Sequence, residues 1–159
     1  MQVWCRLQII QFMSRAFEDF TVGTRLVSTS CPITAEAIVD FGREFDPQVF
    51  HLDPGLAEKT LFGGLAASGW HTAAVSMRLF IDTINVSGGI IGLQVDELKW
   101  PNAVRPGDEL LVESEILAAR RSKSRPGYGI IRIHNVTKNQ RGEVVQSFMA
   151  NAMLPVRGS

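Results

Sequence analysis

Residues 69–83 read Gly69-Trp-His-Thr-Ala-Ala-Val-Ser-Met-Arg-Leu-Phe-Ile-Asp-Thr83. Apolar side chains fall on nearly every side of this segment, and its polar groups crowd at the two ends. A helix built that way is buried rather than half exposed. Ser68, just before it, is a fair N-cap.

Downstream the period changes from helix to strand. Residues 90–100, 109–119, 127–138 and 143–154 are rich in Val, Ile and Leu and partly alternate. Turn signals separate them: Pro101-Asn102, Arg105-Pro106-Gly107-Asp108, Arg125-Pro126-Gly127 and Asn139-Gln140-Arg141-Gly142. Four such segments in succession predict an antiparallel meander. The fold class is therefore α+β, a long buried central helix wrapped by a curved antiparallel sheet. One helix covers only part of such a sheet, and the uncovered remainder invites a two-fold partner.

Upstream, residues 24–31 predict a short strand. Thr34 caps a helix starting at Ala35, with Ile38, Phe41 and Phe45 as its apolar face. That helix ends before Pro47, because the residue preceding a proline is pushed out of the α region. Residues 46–55 follow as an irregular loop, and Phe62-Gly63-Gly64 makes a second break.

The chain has 159 residues, 45% hydrophobic and 20% charged, with zero net charge. That length fits one domain with a real core. Without a global field, neither nucleic acid nor an anionic membrane is an expected partner. No apolar run reaches the length of a bilayer span. Cys5 and Cys31 read as two lone thiols of a reducing compartment, and the expected location is the cytoplasm. Residues 1–16 are apolar-rich but broken by Arg6, Gln8 and Gln11, and lack a cleavage site of signal-peptide type. We read them as an extension, disordered or appended to the body, and residues 17–159 as the domain.

Three histidines are candidates for chemistry. His134 sits in a strand pattern and reads as a half-exposed sheet residue. His71, early in the buried helix, reads as a core or interface histidine with a hydrogen-bonded ring. His51 differs, because it follows Asp46 by five residues on a loop stiffened by Pro47. A carboxylate and an imidazole held that way can share one water and move protons at neutral pH. Spacing alone leaves open that Asp46 caps a turn and His51 is merely exposed. Asp53, just before Pro54, reads as a turn residue. No other His or Cys falls at metal-ligand spacing, so no metal is expected. The Gly69 amide lies in the first helical turn, where N–H groups lack helical partners and suit an oxyanion.

At these residues the chain resembles the MaoC-like dehydratase family, relatives of the (R)-specific enoyl-CoA hydratases. The matching stretches are Asp46-Pro-Gln-Val-Phe-His51-Leu-Asp-Pro and Gly63-Gly-Leu-Ala-Ala-Ser-Gly69-Trp-His-Thr. A third is Trp100-Pro-Asn-Ala-Val-Arg-Pro-Gly-Asp108. The likeness spans roughly residues 17–155. It implies a hot-dog fold and a homodimer or larger assembly of dimers. It also implies an acyl-CoA or acyl-carrier-protein thioester as substrate, with coenzyme A entering only as part of it and no separate cofactor. Asp46 and His51 take the family's catalytic positions, and Gly69 that of the oxyanion-hole amide. Phe50, Ser68 and Trp70 are expected to touch substrate. Two departures stand out: Gln48 takes the place of the family's asparagine, and Met77 that of a supporting helix serine.

The implied reaction is hydration of a trans-2-enoyl thioester, or the reverse. The alternatives are a hot-dog acyl-CoA thioesterase and a non-catalytic acyl-binding module. Thioesterases of this fold often carry an acid on the central helix, and Gly69–Ile81 has none. The cluster Arg120-Arg121-Ser122-Lys123-Ser124-Arg125 reads first as a solvated hairpin tip. Its functional reading makes Arg121 and Lys123 a clamp for coenzyme A phosphates or an acidic carrier protein.

Overall fold

The computed structural model describes residues 14–158. Cys5 and residues 1–13 of the expected extension lie outside the described residues. Arg15 and Ala16 belong to the body: the Arg15 N–H donates to the Asn85 carbonyl, and Ser87 donates back to Arg15.

A 3₁₀ turn at Phe17–Asp19 leads to strands β1 (Arg25–Val27) and β2 (Cys31–Pro32), where a single strand was expected. Both pair antiparallel with β4, and the intervening Ser28 keeps contact through its own Oγ and N–H to Val112. Helix α1 (Ala35–Phe45) begins as read, with the Thr34 hydroxyl accepting from the Ala37 N–H. It stops one residue before Asp46-Pro47. Ile38 is fully buried, but Phe45 lies exposed at the end of the helix, so the apolar face is shorter than expected.

The expected loop over 46–55 is instead two single-turn helices, α2 (Val49–Leu52) and α3 (Pro54–Ala57). Gln48 opens α2 in an extended conformation, and Asp53 caps α3 by accepting from Leu56. One turn is too short to leave a readable period, which is why proline and glycine punctuation masked both.

Helix α4 (Gly69–Ile84) is capped by Ser68 and ends on Asn85 in the left-handed conformation. It lies on a sheet of long strands, β3 (Ile91–Lys99), β4 (Glu109–Arg121), β5 (Tyr128–Lys138) and β6 (Val144–Pro155). The order is β1-β4-β5-β6-β3. The meander therefore covers β4 to β6 only, and β3 pairs with β6 at the far edge. The tight turns at 122–127 and 139–143 force hairpins, whereas the nine residues 100–108 are long enough to cross the sheet. Bulges in β3 and β4 bend the sheet around the helix.

Strict alternation along β5 puts Ile131 and Ile133 under α4, beside Ile116 of β4 and Phe80 and Ile84 of the helix. A second cluster, with Leu110, Val112 and Leu79, underlies the other end near Ile38 and Leu65. Between them runs a buried polar seam in which Ser76 bonds Thr137 at 2.8 Å and Ser114 bonds Asn135 at 2.5 Å.

Helix α4 is not buried on all sides. Trp70 is 61% exposed and Met77 48%, with Ile81 also open. Ile91, Leu93 and Val95 of the edge strand β3 are exposed too. The all-round apolar pattern of residues 69–83 thus reflects one face packed on the sheet and a second left uncovered within the single chain.

Candidate active site

Asp46 ends α1, and its N–H still bonds the Gly42 carbonyl. Gly42 lets α2 come close: a Cβ there would lie 3.0 Å from both the Cβ and the carbonyl oxygen of His51. That close approach brings His51 Nε2 to 3.3 Å from Asp46 Oδ2, with His51 buried and Asp46 partly open.

The other face of the imidazole fixes its tautomer. His51 Nδ1 lies 2.6 Å from the Ala66 carbonyl oxygen, which can only accept, so Nδ1 carries the hydrogen. In the neutral ring Nε2 then presents a lone pair to a carboxylate that also accepts. Two acceptors this close need a proton between them or a water beside them that donates to both. Phe50 stacks edge-on against His51 at 4.5 Å, and Phe62 closes on Phe50 at 4.7 Å.

Asp46 is held by two donors as well. Ser68 Oγ donates to Oδ2 at 2.6 Å and Gln48 Nε2 to Oδ1 at 2.7 Å. Burial pushes the carboxyl up, but Ser68, Gln48 and the neighbouring His51 together outweigh it. Asp46 therefore titrates below the ordinary aspartate value. Gln48, in the place of the family's asparagine, thus reaches the carboxylate directly. Ser68, expected to touch substrate, caps α4 and anchors Asp46 with one hydroxyl.

Gly69 starts α4, and no hydrogen bond among the described residues takes its N–H. Trp100 lies against it so closely that a Cβ at Gly69 would meet two indole carbons at 2.9 Å. The indole is tethered by Nε1 donating to Gln146 at 2.8 Å, and Trp70 packs edge-on against it at 5.4 Å. Asp46, His51, Ser68, Gly69, Phe50 and Trp70 thus gather around the N-terminus of α4. Trp100 belongs with them and was not singled out from the sequence, where it looked like the end of a strand.

Arg121 and Lys123 do not join this group within the chain. Their hairpin tip lies at the opposite end of the sheet, where Arg121 pairs with Glu18 at 2.7 Å and covers the Phe17 ring. A clamp for coenzyme A phosphates at Arg121 and Lys123 would therefore act away from the Asp46–His51 pair of the same chain. Met77 points out of the helix, and Ser76 is turned to the sheet, donating to the Thr72 carbonyl.

His71 is buried as expected, but its Nδ1 has no hydrogen-bond partner, against the expectation of a bonded ring. It stacks on Phe41 at 4.9 Å instead. Burial first, and the nearby His51 second, lower its pKa to about 4, so it is neutral at neutral pH.

His134 is half-buried and lines a groove with Arg25, Glu113 and Glu115 on the sheet face turned away from α4. That groove has no helix terminus and no acid–base pair like the one above, so we do not read it as the reaction site. Among the described residues, no group of three or more His, Cys, Asp and Glu side chains could hold a metal ion.

The family model for the MaoC like domain matches residues 19–138. The chain is 33% identical over 125 residues to the uncharacterized protein YdeM of Bacillus subtilis (strain 168), covering 78% of this chain and 87% of that one. The structure of the MaoC-like dehydratase from Rhodospirillum rubrum is 50% identical, with TM-score 0.87, over 92% of this chain and all of that one. The (R)-hydratase from A. caviae involved in PHA biosynthesis is 26% identical with TM-score 0.70, over 87% of this chain and 99% of that one. The chain belongs to the MaoC-like dehydratase family and has its hot-dog fold.

Proposed function

We propose that this chain hydrates trans-2-enoyl thioesters, or dehydrates the 3-hydroxyacyl thioester in the reverse direction. The observation that carries the reading is His51 Nε2 at 3.3 Å from Asp46 Oδ2, beside the open N-terminus of α4. A water seated beside the pair donates to both groups, which answers the facing of two acceptors. His51 Nε2 takes a proton as the water oxygen bonds to C3 of the substrate. The π electrons move onto the thioester oxygen, where the Gly69 N–H stabilises the enolate. A proton from the pair then goes to C2, so that the elements of water have been added and the pair is restored.

Coenzyme A or a carrier protein enters only as the thiol half of the substrate, and we place the chain with those thioesters in the cytoplasm. The working unit we propose is a homodimer. The open face of α4, with Trp70, Met77 and Ile81, and the edge strand β3 are the uncovered apolar surfaces.

A panel of enoyl-CoAs of rising chain length, followed by loss of the conjugated double bond's absorbance, tests the reaction. Hydration of at least one member is expected. Release of free thiol with the double bond intact would make the chain a thioesterase instead. Neither signal would leave a non-catalytic acyl-binding module.

A further inference from the structure

We propose that Arg105 is a positioning residue for His51, acting through the backbone of residues 62–66. This rests on the reading of His51 as part of the acid–base pair. The Ala66 carbonyl oxygen, 2.6 Å from Nδ1, holds the hydrogen of His51 on that nitrogen and leaves Nε2 to face Asp46. That carbonyl lies in a segment with no regular structure, and two of its residues, Gly63 and Gly64, have positive φ. Backbone with glycines at such angles has near-equivalent alternatives, and a rotated peptide would point the carbonyl elsewhere.

Arg105 removes that freedom. Its Nη1 donates to the carbonyls of Gly64 at 2.8 Å and Leu65 at 3.1 Å. Its Nη2 donates to the Phe62 carbonyl at 2.5 Å, and the guanidinium lies over the Phe62 ring. One planar cation thus gathers three carbonyls from four consecutive residues, and Ala66 is left to turn its own towards His51. Ala66 N–H bonds the Phe50 carbonyl and Ala67 N–H the Val104 carbonyl, so the segment is stitched at both ends of the site.

The arginine is itself aimed. Its backbone N–H donates to Asp108 Oδ2 at 2.9 Å, and buried Asp108 pairs with Arg141 at 3.0 Å. Gly107 takes the positive φ that closes the turn. The Arg105-Pro-Gly-Asp108 turn therefore connects strand β4 to the orientation of His51. Lysine cannot replace the fork, because a single ammonium reaches fewer carbonyls in a fixed plane.

The test reads the imidazole directly. In ¹⁵N-labelled protein, His51 in the wild type is expected to show one tautomer, protonated at Nδ1. Arg105→Ala should show averaged nitrogen signals for His51. Its kcat for an enoyl-CoA should fall by about ten- to a hundredfold, with KM little changed, the size expected of a misplacement on the order of an ångström. The limb of the pH–rate profile that belongs to the pair should move, and millimolar methylguanidinium should restore part of the signal and the rate. If Arg105→Ala does not fold, Arg105→Lys gives the same readout, with a weaker change in the same direction. Wild-type His51 nitrogen signals and an unchanged pH profile in either folded variant would overturn the proposal. The nitrogen signals need no substrate. A chain without hydratase turnover would therefore overturn the proposed function while leaving the role of Arg105 decided by the spectrum.

Discussion

His71 sets a measurable acid limit on this fold. The ring is buried against Phe41 with Nδ1 unpartnered, and its pKa in the folded chain is about 4. In the unfolded chain it returns to about 6.5. Between those values the unfolded state binds more protons than the folded one, so stability rises with pH across the window and falls as the solution is acidified. Working the two pKa values through linkage, acidification costs about 2 kcal/mol at pH 5 and about 3 kcal/mol at pH 4, relative to pH 8. For a chain of this length each kcal/mol moves Tm by about 2–4 °C. Carboxylates such as Asp46 add their own acid sensitivity, so the effect is isolated by comparison with His71→Phe. That variant keeps the stack on Phe41 and removes both the titration and the orphaned nitrogen. Thermal melts of both proteins from pH 8 to pH 4 should diverge below pH 6.5, the variant holding its Tm better by the amounts above. Parallel melting curves across the whole range would refute the reasoning, because they would mean His71 is as free to protonate in the fold as out of it.

Gly69→Ala should cost about 1–3 kcal/mol, because its Cβ meets the Trp100 indole at 2.9 Å and the indole is tied to Gln146. A lower Tm and a shifted tryptophan emission check it, and an unchanged Tm would mean the indole yields freely. Wild-type chain should sediment as a homodimer at micromolar concentration. Met77→Glu, which puts a charge on the open face of α4, should weaken association by about tenfold or more, at least about 1.4 kcal/mol. A well-folded wild-type monomer would remove that surface from the account.

Much of this was legible in the sequence because it depended on short-range patterns. Ser68 and Thr34 announced both main helices through capping, and the four long strands stood out by their alternation and their turns. Spacing alone left Asp46 and His51 open, and the resemblance to the MaoC-like family paired them. What escaped depended on contacts distant in the chain. The pairing of β3 with β6 is set by which way nine residues cross, and no local signal records that. Trp100 and Arg105 looked like a strand end and a turn, since their partners Gly69 and Gly64 lie more than thirty residues away. The ion pair of Arg121 with Glu18, about a hundred residues upstream, was likewise not legible in the run of charge around it. The apolar surround of α4 was read as burial because a sequence does not distinguish a core face from an apolar face left open.

The central claim is that Asp46 and His51 act as one unit on one water, and a double-mutant cycle in kcat tests it most directly. With the best enoyl-CoA of the panel as substrate, Asp46→Asn and His51→Ala should each lose about 10²–10⁴-fold with the fold intact. The double variant should be little worse than either single one, because the second group has nothing left to act with. Near wild-type turnover in either single variant, or losses that multiply in the double, would contradict the account.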